Sequence, residues 1–222
     1  MSPSGAADNY RRIRDSLPQE VTVVVAVKGR AAHEVADVIE AGATAIGHNH
    51  VQAAEHMLAE LGAAAGSVQW HLIGRLQRNK VSRSLPLFDV IQSVDSLRLA
   101  QTLNERAERP VTAYVEVNVG REDTKCGVPP EATRPLLEAI SSLSKVRVDG
   151  LMTMEPYCED PEDARPYFRR MRHLFEELKA LKAPNIRMKF LSMGVTNSYR
   201  VAVQEGANMV RIGTAIFGRR HV

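Results

Sequence analysis

Cysteine is scarce in this chain: Cys126 and Cys158 are the only two in 222 residues. Two thiols cannot form a disulfide framework, and these lack the paired spacing of a zinc site, so they read as ordinary thiols of a reducing compartment. Aromatic residues are sparse as well, at 5% with the single tryptophan Trp70. The 29 Lys and Arg face 26 Asp and Glu, a formal net charge of +3, and the basic residues are scattered among acidic ones. That pattern supports no nucleic-acid surface. No apolar run approaches the roughly 18 to 20 residues of a membrane-spanning helix. The opening MSPSGAADNYRRIRDSL lacks the basic-then-apolar order of a secretory signal. The expectation is a cytoplasmic protein with neither membrane nor nucleic acid as partner.

What is present is a regular alternation. With 44% hydrophobic and 25% charged residues, the chain has enough apolar material for one sizeable core. An amphipathic opening with Tyr10, Ile13 and Leu17 precedes VTVVVAVK at 21–28, a continuous β-branched run typical of a strand covered on both faces. Strand-like segments recur at 43–48, 68–74, 88–94, 111–119, 146–152, 188–194 and 208–213. Between them lie helix-like stretches, the longest near 162–182 with Met171, Leu174, Phe175, Leu178 and Leu181 on one stripe. Eight βα units in a chain of this length predict a single α/β domain over 1–222, a TIM (β/α)8 barrel preceded by an N-terminal helix. A doubly wound open sheet is the runner-up, but no GxGxxG follows the first strand.

In such a barrel the chemistry sits at the C-terminal ends of the strands. Those ends carry Lys28, His48 and Asn49, His71 and Gly74, Asn118, Met152 and Thr153, Ser192 to Thr196, and Arg211 to Thr214. Lys28 follows a segment without other charge. A lysine enclosed in an apolar mouth is the amine that condenses with an aldehyde; a lysine snorkelling to the rim fits the position equally well. Arg211-Ile212-Gly213-Thr214 combines a cation, a close-approach glycine and a hydroxyl, and the adjacent loop adds Ser192, Gly194 and Thr196. Together they suit a phosphate.

These residues resemble the pyridoxal-phosphate homeostasis proteins, which share their fold type with the N-terminal domain of alanine racemase. The stretches VAVKGR (25–30), WHLIGRLQRNK (70–80), SVDS (93–96), VNVGREDTKCGV (117–128), GLMTM (150–154), LSMGVTNS (191–198) and VRIGTAIFG (210–218) follow in the family's order nearly end to end. The resemblance implies a barrel of pyridoxal-phosphate fold type III, with pyridoxal 5′-phosphate as cofactor held in a Schiff base on Lys28. It places Arg211 opposite the pyridine nitrogen, Thr196, Gly213 and Thr214 on the phosphate, and Asn49, His71 and Met193 around the ring. An arginine stays protonated and leaves the pyridine neutral, a poor electron sink.

Three positions depart from the family pattern: Val27 stands where serine is usual, GHNH (47–50) replaces Gly-Glu-Asn-Tyr, and Ser198 replaces a common aspartate. His48 and His50 read as solvated rim residues, and no metal site is predicted because no third ligand is near in sequence. The implied function is cofactor homeostasis without turnover, with apo pyridoxal-phosphate enzymes as recipients and a monomer or weak dimer as the assembly. Amino-acid racemisation is the alternative. It needs acid and base groups on both faces of the substrate carbon, and the eight units leave no sequence for the second domain that alanine racemases use. A phosphosugar-binding barrel without cofactor is a third reading.

Overall fold

The computed structural model describes residues 5–219. Eight parallel strands close into a barrel in sequence order: β1 (Thr22–Ala26), β2 (Ala45–His48), β3 (Gln69–Leu72), β4 (Val90–Val94), β5 (Val111–Glu116), β6 (Val146–Met152), β7 (Ile186–Ser192) and β8 (Met209–Ile212). Closure is made by β1 against β8, with Val24 opposite Arg211. The helix Gly5–Asp15 (α1) precedes the barrel, and the helices Ala32–Glu40 (α2), Val51–Leu61 (α3), Val81–Ser84 (α4), Leu97–Arg106 (α5), Pro130–Ile140 (α6), Arg165–Leu178 (α7), Tyr199–Gln204 (α8) and Thr214–Phe217 (α9) follow successive strands. The expected fold is therefore present, N-terminal helix included. No helix among the described residues is long and apolar enough to cross a membrane.

The strands are shorter than the apolar runs that announce them. VTVVVAVK pairs only over Thr22–Ala26, because Val27, Lys28 and Gly29 leave the ladder to form the turn at the barrel mouth. The helix expected over 162–182 divides into a 3-10 turn at Pro161–Ala164 and α7. Pro166 cannot donate to the residue 162 carbonyl and its ring crowds it, which breaks a continuous helix there. Asp160 caps the turn by accepting from the Glu162 N–H at 2.9 Å.

Alternation along the strands sorts the side chains into two cores. Val23, Val25, Ile46, Trp70, Leu72, Ile91, Ala113, Val115, Leu191, Val210 and Ile212 face the helices, where Phe168, Met171, Phe175 and Leu178 of α7 meet them. The inward set is smaller: Val24, Ala45, Val90, Tyr114, Met152 and Met209, with Ile73 and Phe190 against them. Above this plug, toward the C-terminal ends, the inward positions turn polar.

Candidate functional site

Arg211 is the inward residue of β8, 3% exposed. Its Nη1 donates to Ser192 Oγ on β7 (2.7 Å) and its Nη2 to the Thr153 carbonyl after β6 (2.6 Å). It makes no ion pair within 4 Å among the described residues. Burial lowers its pKa, against which Glu155 and Glu116 act in the opposite direction. A buried guanidinium held by neutral groups keeps its charge available to something placed beside it.

The bonds continue inward with a fixed sense. Arginine can only donate, so Ser192 accepts from it and passes its own proton to Gln92 Oε1 at 2.7 Å. The Gln92 amide nitrogen lies 2.8 Å from His71 Nδ1 and 3.3 Å from Met209 Sδ. His71 is therefore an acceptor at Nδ1 and carries its proton on Nε2, which is buried without a partner. Desolvation pushes its pKa down to about 4 and keeps the ring neutral. An unpaired buried N–H costs stability unless a ligand atom accepts it.

At the same end of the barrel, the loops after β7 and β8 meet. Thr196 Oγ1 accepts from the Ala215 N–H at 3.3 Å, which brings Thr196 beside Gly213 and Thr214. A Cβ on Gly213 would lie 2.9 Å from the Ala26 carbonyl oxygen, so only glycine lets this backbone close against β1. Arg30, after β1, reaches the end of α9: its guanidinium stacks 5.1 Å from the Phe217 ring and donates to the Phe217 carbonyl at 3.2 Å. Asn49 is placed by Gly74, where a Cβ would lie 2.4 Å from the Asn49 carbonyl oxygen.

Lys28 lies on the inward phase of β1, following Val24 and Ala26, beside this cluster. It is exposed and has no hydrogen bond or ion pair among the described residues. Lys28 stands at the rim of the mouth, next to the turn at Gly29 (φ +70°). Met193 is corrected outright. It is fully buried in the outer core between sheet and helices, since Ser192 takes the inward phase of β7 and its neighbour must point away.

The departures from the family pattern also resolve. Val27 points into the outer core, away from the site. His48 is 2% exposed, not a solvated rim residue; its Nδ1 accepts from the His50 N–H at 3.1 Å. Desolvation, aided by the His50 charge, lowers its pKa to about 4. His50 is exposed as expected. Ser198 accepts from the Val195 N–H at 3.0 Å and donates to Glu155 Oε1. Glu155, itself buried, also receives the Lys125 ammonium on its backbone carbonyl at 2.7 Å, tying the loop after β5 over the mouth.

Gln92, Glu116 and Glu155 were not singled out as site residues from sequence. Glu116 has a sequence signal, a lone polar inward residue between Val115 and Val117; Gln92, between Ile91 and Ser93, has a weaker one. Glu116 is 7% exposed, and desolvation raises its pKa to about 7, with Arg211 and Arg75 opposing and Asp95 reinforcing. Between pH 4.5 and 7 the folded state then holds a proton that the unfolded state has released. Stability contributed by this residue is complete below pH 4.5 and is lost as pH rises through 7, by about 3 kcal/mol. Urea denaturation at pH 5 and pH 8 measures it: because the Glu116 loss is removed, Glu116→Gln is expected to gain about 3 kcal/mol more than the parent between those pH values. A variant with the parent's pH dependence would contradict the assignment.

The chain matches the family model described as alanine racemase, N-terminal domain, over residues 3–221. It is 46% identical over 156 residues to a pyridoxal phosphate homeostasis protein of Aquifex aeolicus, covering 69% of this chain and 68% of that one. A relative of the same name from Pasteurella multocida is 33% identical over 207 residues, 91% of this chain and 88% of its own. Among solved structures, PipY of Synechococcus elongatus PCC7942 with PLP bound superposes with a TM-score of 0.87 at 32% identity, covering 96% of this chain and all of that one.

Proposed function

Because this chain belongs to the pyridoxal phosphate homeostasis proteins, within the family of the alanine racemase N-terminal domain, we propose that it binds pyridoxal 5′-phosphate at the C-terminal mouth of its barrel and holds it in reserve without turning over a substrate. The residues fit that group. His71 Nε2 is an orphaned buried donor, Arg211 is a buried cation without a carboxylate partner, and Gly213 leaves the close approach that a phosphate needs. When bound, pyridoxal phosphate supplies an aldehyde that joins an amine and a ring that draws electrons from the attached carbon.

In this reading Lys28 provides the amine of the Schiff base, and its exposure keeps the linkage open to water and to incoming amines. Thr196, Gly213 and Thr214 hold the phosphate through a hydroxyl and backbone N–H groups. Asn49 and His71 flank the ring. Arg211 would face the pyridine nitrogen and, unable to surrender a proton, would leave the ring neutral. Ser192 and the Thr153 carbonyl keep that guanidinium in place. Apo forms of pyridoxal-phosphate enzymes are the recipients this role implies. The protein acts as a monomer or weak dimer, and its two free thiols suit a reducing cytoplasm.

The test is incubation of cofactor-loaded protein with single L-amino acids followed by chiral chromatography. No D-enantiomer is expected beyond the protein-free control. Sustained D-enantiomer production would overturn the reserve role and point to Glu116, which titrates near neutrality, as the proton-transfer group.

A further inference from the structure

The barrel has a second opening. At the N-terminal ends of the strands, opposite Lys28 and Arg211, lies a cavity of about 1070 Å³. The interiors of such barrels are normally filled by layers of bulky branched side chains, but this end is thinly furnished. Thr22 and Thr112 occupy inward positions there, and Val90 and Met209 form the ceiling. Tyr114 and Phe190 make one wall, their rings stacked with centroids 5.7 Å apart and planes at 22°. Phe88, Leu85 and Pro110 complete an apolar lining.

The charged groups of the lining are unevenly committed. Both Asp149 carboxylate oxygens, buried, accept from Arg147 Nε at 3.1 Å, and Arg147 Nη2 donates to Thr112 Oγ1 at 2.7 Å. Asp89 Oδ2 accepts the Trp70 N–H at 2.9 Å. Arg106 and Arg109 stand exposed at the rim with no ion-pair partner among the described residues, and so does Glu108. Arg147 Nη1 has no hydrogen-bond partner among them either. The buried acid, Asp149, is spent on Arg147; at the rim the exposed Asp89 and Glu108 balance Arg106 and Arg109 in charge, and the free N–H donors are those of the arginines. A volume of this size accommodates a small molecule.

We propose that this cavity is a binding site for a small aromatic carboxylate, its ring against Tyr114, Phe190 and Met209 and its carboxylate toward Arg106, Arg109 and the free edge of Arg147. Flat apolar walls select a ring over a flexible chain, because stacking and edge contacts add to simple burial. The arginines select an anion, for which their planar donor fork is suited. Met209 also lies on the path to the mouth, since its Sδ accepts from Gln92, which bonds through Ser192 to Arg211. An occupant that displaces Met209 therefore perturbs the groups around Arg211. The site is separate from the mouth, and the proposal holds whether or not a cofactor binds there.

The experiment is a titration of the full chain with sodium benzoate, followed by NMR of methyl and amide resonances, with benzyl alcohol and sodium acetate as controls. Benzoate is expected to produce saturable shifts at Val90, Met209, Thr22 and Thr112, with each control binding at least tenfold more weakly. Joint replacement of the exposed Arg106→Ala and Arg109→Ala should weaken benzoate at least tenfold. Val90→Phe should crowd the ring position beside Tyr114 and Met209 and weaken binding at least tenfold. If that variant does not fold, Val90→Ile is expected to weaken binding instead. Absence of saturable shifts, equal binding of benzyl alcohol, or shifts confined to the Lys28 and Arg211 end would each overturn the proposal.

Discussion

Replacing Lys28 by alanine is expected to abolish covalent retention of pyridoxal 5′-phosphate while leaving the barrel folded. Lys28 is exposed and has no hydrogen bond or ion pair among the described residues, so its removal takes no native contact with it. Surface changes of that kind shift stability within about ±0.5 kcal/mol. The chemical loss is total by comparison, because among the described residues no other side chain at the mouth is an amine on the inward phase of a strand. Two measurements separate these effects. The near-visible absorbance of the loaded protein should vanish in Lys28→Ala, and borohydride reduction followed by peptide mass analysis should place the added mass on Lys28 in the parent alone. Survival of the band in the variant, or trapping on a different lysine in the parent, would refute the assignment. Lys28→Arg is the companion variant: it preserves the positive charge and should retain phosphate affinity without the covalent link.

Acid should destabilise the protein through two histidines that the fold keeps neutral. His48 and His71 ionise near pH 4 in the folded state, against 6.5 when free. Between those values the unfolded chain binds protons that the folded chain refuses. The stability they contribute is complete above pH 6.5 and is lost as pH falls toward 4, by about 3 kcal/mol for each residue. Glu116 works in the opposite direction, regaining about 3 kcal/mol as pH falls from 7 to 4.5. The net expectation is a loss of about 3 kcal/mol, a large share of the roughly 5–15 kcal/mol by which domains are stable. Urea midpoints followed from pH 7 to pH 4 provide the measurement, and Glu116→Gln should steepen the fall by removing the compensation. A flat profile in that variant would show that these histidines are not held neutral by burial. Substituting His71→Gln should in turn halve the remaining slope while disturbing the bond to Gln92.

Sequence and structure agree most closely where the physics is local. Runs such as VTVVV at 21–25 and the stripe of α7 announce a strand and a helix through short-range periodicity, and counting them leads to an eightfold barrel. Gly213 and Arg211 are also visible in the sequence, but each alone is common at a strand end; only together with Ser192, Gly194 and Thr196 of the neighbouring loop do they suit a phosphate. His48, read as a solvated rim residue, is instead buried, and Met193, read as a ring contact, packs outside the sheet. Both misreadings concern the phase of a side chain near the end of a strand, where one residue more or less of pairing decides between the barrel interior and the helix layer.

The chain by itself therefore determines the eight βα units, the lysine and arginine that suit a phosphorylated aldehyde, and the scarcity of thiols and aromatics that excludes other classes of protein. Only the closed barrel decides which polar residues meet. The relay from Arg211 through Ser192 and Gln92 to His71 joins four strands whose residues are up to 140 positions apart in sequence (71 to 211). Its direction follows from an arginine that can only donate. The open cavity beneath Met209 depends on the same closure, because the space enclosed by eight strands is set by the sum of their inward side chains and by none of them alone.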